Sequence, residues 1–70
     1  MKMTDVRDST AIAAVGHDPE SSTLHVRFHS GRTYAYPDVS AEAHARLMDA
    51  GSMGAHFSKH IRPLGGTEVK

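Results

Sequence analysis

Thr23-Leu24-His25-Val26-Arg27-Phe28-His29-Ser30-Gly31-Arg32-Thr33-Tyr34-Ala35-Tyr36-Pro37 is the stretch that decides the fold of this chain. Leu24, Val26 and Phe28 alternate with His25, Arg27 and His29. A period of two marks a strand with one apolar and one polar face. Ser30-Gly31 interrupts the alternation, residues 32–36 resume it and Pro37 ends it. Two strands joined by a short glycine-bearing loop make a β-hairpin.

The length of that loop decides where the tyrosines point. With a two-residue Ser30-Gly31 loop, Tyr34 and Tyr36 share the polar face with His25 and Arg27. With a three-residue loop, His29-Ser30-Gly31, and a left-handed Gly31, Val26 pairs with Tyr34 and Leu24 with Tyr36. Both tyrosines then join the apolar face, because a one-residue slip turns every side chain over. Thr33 and Ala35 are poor core residues, and a domain with four aromatics needs their bulk. That favours the three-residue loop.

Upstream, residues 10–17 (Thr-Ala-Ile-Ala-Ala-Val-Gly-His) read as a further strand, followed by a turn at Asp18-Pro19-Glu20-Ser21-Ser22. Downstream, residues 40–50 read as a helix. Ser40 or Asp38 caps it, Glu42 lies in its first turn, and Val39, Ala43, Leu47 and Ala50 fall on one side. Ser52 opens a second helix that runs to Arg62 and stops at Pro63, with Met53, Phe57 and Ile61 as a narrow apolar stripe. The expected fold is therefore α+β: a three-stranded antiparallel meander followed by two C-terminal helices packed on one sheet face. Residues 1–70 are expected to form a single domain with an ordered core at about 9–63 and flexible termini.

Composition narrows the functional classes. The chain has 70 residues, 39% hydrophobic and 23% charged, which suits a small globular domain with a thin core. It has no cysteine, hence no disulfide or thiolate metal site, and a reducing cytoplasm is the expected compartment. No stretch approaches a membrane span, and the polar start lacks the apolar run of a signal peptide. Eight Lys and Arg balance eight Asp and Glu, so any nucleic-acid contact must come from a local patch. The six histidines would take the formal charge from +0 to +6 if all were protonated, so mild acid should alter this surface strongly.

Ile12, Leu24, Val26, Phe28 and Gly31, the central Tyr34-Ala35-Tyr36, and the closing Ala50, Ser52, Gly54, Phe57, Ile61 and Arg62 together resemble the KTSC domain family. The match begins near Ser9 and spans roughly three quarters of the chain. Tyr-x-Tyr, Ala-x-Ser-x-Gly and Ile-Arg are the family's signatures. The family is named for its occurrence at the C-terminus of some lysyl-tRNA synthetases and also occurs as small free-standing bacterial proteins. The resemblance implies a non-catalytic module, with RNA or tRNA binding as the standing suggestion. His17, His56 and the missing aromatic after Arg62 depart from the pattern and remove ring surface.

The candidate nucleic-acid contacts are His25, Arg27, Arg32, Tyr34, Tyr36, Lys59 and Arg62. His25 and Arg27 should line the open side of the sheet with Arg32 beside them, and Lys59 and Arg62 the outer side of the second helix. Exposed tyrosines would stack unpaired bases and the cations would hold phosphates. The plainer alternative is that the tyrosines fill the core and the cations are an ordinary solvated face. His56 and His60, four apart on a helix, are weak metal candidates, because neither cysteine nor an HExxH arrangement accompanies them. No nucleophile elbow, phosphate loop or cofactor motif occurs, so neither enzyme nor cofactor is expected. The competing expectation is a protein-interaction or self-association module built on unpaired sheet edges.

Overall fold

The computed structural model describes residues 3–6 and 10–69. Among these residues the sheet has five strands, not three, in the order β1-β2-β3-β4-β5. These are β1 (Thr4–Asp5), β2 (Ile12–Asp18), β3 (Thr23–Phe28), β4 (Thr33–Tyr36) and β5 (Thr67–Val69), each antiparallel to its neighbour. The two additional strands are the short outer ones. Strands of two and three residues are too short to display a period, so nothing in their side chains announces them. They form because β2 and β4 offer unpaired backbone groups at the edges of the hairpin core. Part of the expected flexible termini, at residues 1, 2, 7, 8 and 70, lies outside the described residues, as does Ser9 at the start of the expected core.

The hairpin adopts the three-residue loop. Val26 faces Tyr34 and Leu24 faces Tyr36. The Phe28 and Gly31 amides close the loop onto the Arg32 and Phe28 carbonyls, each at 2.9 Å, and Gly31 takes a φ of 94°. A side chain would be strained there, which is why glycine holds this position. In β2 the register slips between Ile12 and Ala14. That bulge sets Ile12 and Val15, three residues apart, on the same inner face, where both are fully buried.

Helix α1 (Ala41–Met48) starts where Ser40 accepts a hydrogen bond from the Ala43 amide at 3.1 Å. The second helix departs from the single α-helix expected over residues 52–62. It is α2 (Met53–His56), then a π-helical turn (Phe57–Ile61), then a 3₁₀ turn (Arg62–Leu64) that contains Pro63. The Arg62 amide reaches back to the Phe57 carbonyl. The apolar stripe supplies a reason. Residues four apart drift by about 40° per step on an α-helix, whereas a wider turn keeps Phe57 and Ile61 aimed at the sheet. Pro63 needs no amide partner at the start of a new turn.

Ile12, Val15, Leu24, Val26, Tyr36, Val39, Leu47, Phe57 and Ile61 form one core between the sheet and the helices. Both helical segments lie on that face. The Gly65-Gly66 link then returns the chain to β4 as β5, so a strand follows the helices.

Candidate functional site

Side chains directly opposite one another in an antiparallel pair share a face. That rule divides the seven candidate contact residues between two sides of the molecule. Tyr34 pairs with Val26 and Tyr36 with Leu24, so both tyrosines face the core. His25 pairs with Gly16 and Ala35, and Arg27 with Ala14 and Thr33, on the opposite face. Arg27 is exposed and His25 half-buried. That outer face carries Thr33, Ala35 and the buried Ala14 and Gly16 between them and neither tyrosine, so it offers no tyrosine stacking platform. Arg32 is exposed at the base of the hairpin loop, and Lys59 and Arg62 are exposed on the helical layer.

The tyrosines instead belong to a ring cluster. Phe28 meets Tyr34 edge-on at 5.7 Å and Phe57 at 5.7 Å, and Tyr36 meets Phe57 at 5.2 Å. Edge-to-face packing at these separations is favourable for aromatic pairs. Tyr36 is 5% exposed. Burial raises the pKa of its hydroxyl; Tyr34 adds to that, and the Arg62 guanidinium opposes it. Tyr34 and Phe28 are only half-buried, so each keeps ring surface accessible.

A cleft of about 440 Å³ opens at this cluster, between the hairpin and the helical layer. It is lined by Phe28, Tyr34, Tyr36 and Phe57, with Ser58 and Arg62 as its polar groups. Its volume falls within the roughly 300–1,000 Å³ typical of small-ligand sites. The structure thus brings together Tyr34, Tyr36 and Arg62 from the sequence candidates. It leaves His25, Arg27, Arg32 and Lys59 out of that lining. Phe28 and Phe57 were missed as site residues, because their apolar spacing marks them equally well as core.

A second cleft, of about 500 Å³, lies on the other side of the π-helical turn. Asp38, Glu42, Arg46, His56 and His60 line it. Among the described residues no group of three or more His, Asp or Glu is placed to hold one metal ion. Two further histidines, neither of them among the site candidates, meet at the end of the sheet. His17 of β2 stacks on His44 of α1 at 5.1 Å, and its Nε2 lies 2.6 Å from the Val39 carbonyl. Desolvation, then the His17 ring, lowers the pKa of His44.

The KTSC domain family model matches residues 8–64. The chain belongs to the KTSC domain family. It is 38% identical over 55 residues to an uncharacterized protein of Stutzerimonas stutzeri, covering 79% of this chain and 78% of that one. A protein of Tsukamurella paurometabola is 38% identical over 56 residues, at 80% and 84% coverage. The crystal structure of a KTSC domain protein from Yersinia pestis superposes with a TM-score of 0.85 at 30% identity, covering 99% of this chain and 94% of that one. The KTSC match takes in the hairpin, both helical segments and every residue of the ring-lined cleft. Among the described residues, no helix of this KTSC domain is long and apolar enough to cross a membrane.

Proposed function

We propose that this small KTSC module binds single-stranded RNA by admitting one unpaired base to the cleft of Phe28, Tyr34, Tyr36 and Phe57. The observation that carries the reading is the convergence of four aromatic rings and one guanidinium on a single cleft. Bases stack on aromatic faces without regard to sequence, and Arg62 is the group to meet the adjoining phosphate. Lys59, exposed three residues earlier, supplies a second cation on the same layer. Net neutrality restricts phosphate contact to such a patch. A cysteine-free chain suits the reducing cytoplasm where such RNA is met.

Fluorescence anisotropy with a labelled single-stranded RNA, set against a duplex of the same sequence at two salt concentrations, tests this. Single strands should bind preferentially. Arg62→Gln and Tyr34→Leu should each weaken binding by roughly five-fold or more, the range of one lost stacking or phosphate contact. Arg27→Gln, on the far face, should leave affinity unchanged. Absence of binding near physiological salt, or an equal loss from Arg27→Gln, would sink the reading.

A protein-interaction or self-association role draws on a different observation. Within the sheet, β1 and β5 each pair on one side, and Val69 is 46% exposed. An incoming strand could extend either edge. Light scattering that shows a concentration-dependent dimer, with no RNA affinity, would favour this second role.

A further inference from the structure

The π-helical turn has a consequence for the histidines beside it. His56 closes α2 and His60 lies within the π turn. Their ring centroids are 4.6 Å apart, with planes inclined at 41°. On an α-helix, side chains four apart are offset by about 40° around the axis; the wider turn brings these two closer to alignment. Neither ring hydrogen-bonds to any described residue, so lone pairs on both imidazoles are available. Both rings line the cleft of about 500 Å³, where Glu42 is ion-paired with Arg46 and Asp38 is left as the remaining negative charge.

We propose that His56 and His60 form a binding site for a divalent transition cation of the Zn²⁺ class. Two imidazole nitrogens on one zinc sit roughly 3.3 Å apart when each Zn–N bond is about 2.0–2.1 Å. Ring centroids 4.6 Å apart are compatible with that nitrogen–nitrogen spacing. Among the described residues no third histidine or carboxylate is close enough to share the ion, so water completes the coordination. Asp38 contributes its field across the cleft. Borderline-soft cations that favour imidazole are selected, and hard, oxygen-seeking Mg²⁺ is not. The bound ion joins α2 to the π turn, so it stabilises the folded state.

Titration calorimetry with zinc chloride, together with thermal unfolding in zinc and in magnesium, tests the site on the full chain. One equivalent of zinc should bind and raise the unfolding temperature, while magnesium does neither. His60→Gln, at an exposed position, should weaken zinc binding roughly ten-fold or more and abolish the temperature rise; His56→Gln should do the same. His25→Gln, on the far face of the sheet, should bind as the parent does. Zinc-induced shifts of histidine ring signals in the unsubstituted protein should centre on His56 and His60, which gives a readout that needs no variant. No saturable binding at millimolar zinc, retention of parent affinity in either helix variant, or ring shifts centred on His25 or His29 would each overturn the proposal.

Discussion

Gly66 sits so close to Tyr36 that a β-carbon there would lie 2.5 Å from Cε2 and 2.6 Å from Cζ of the ring. No real side chain tolerates that approach. Gly66→Ala must push the ring or the strand away, at a cost of about 1–3 kcal/mol for overpacking. The expected result is a lower urea midpoint and faster amide exchange in β5. Gly51 is the control, because a β-carbon there meets nothing within 4 Å. Gly51→Ala should be neutral or stabilise by roughly 0.4–1 kcal/mol through the unfolded chain. Equal destabilisation by both substitutions would contradict the close-contact account. This contact was illegible in the sequence, where Gly65-Gly66 reads only as a loose tail. The ring it touches was legible. The demand for core bulk chose the three-residue loop and so placed Tyr36 inside.

The clasp between β2 and α1 should respond to acid. The pKa of His44 lies below its ordinary value of 6.5 because of desolvation and the neighbouring His17 ring. The unfolded chain therefore takes up a proton first as pH falls. Stability from this group is complete above the unfolded value and declines as pH drops through 6.5 towards the lower folded value. Melting temperature should fall between about pH 8 and about pH 5, and His44→Gln should flatten part of that slope. A slope unchanged in the variant would remove His44 as its source. Ser40→Ala should cost about 1 kcal/mol by urea denaturation. Ser52→Ala should cost less, since its bond to the Ala55 amide is 3.4 Å against 3.1 Å at Ser40. Elements were legible in proportion to their length. The alternation of β3 spans six residues and the capped α1 eight, and both stood out. β1 and β5 did not. Nor did the π turn, because a four-residue spacing of apolar groups looks the same whichever helix carries it.

In the whole molecule, one ring joins the two layers. Phe57 touches Phe28 of β3 and Tyr36 of β4, and it lines the cleft. Phe→Ala in a core costs about 3–5 kcal/mol. A domain of 70 residues has a total stability of roughly 3.5–10 kcal/mol. Phe57→Ala should therefore remove about a third or more of the total stability, read by circular dichroism as a large drop in melting temperature, while Phe57→Leu should lose far less. An alanine variant that melts with the parent would show that the layers are held elsewhere. The candidate site was half legible on the same grounds. Charges and alternation placed His25 and Arg27 on the outer face. The cleft, by contrast, exists only because the helical layer covers the inner face incompletely, and no single segment encodes that gap.

The strand order β1-β2-β3-β4-β5 follows the chain without a crossover. β1 to β4 therefore each pair across a short connection, whereas β5 reaches β4 only after both helical segments. Local pairings form faster than distant ones, because less loop entropy is lost before contacts reward it. During synthesis, each hairpin can close as soon as its second arm leaves the ribosome, and only β5 must wait for the helices to be made.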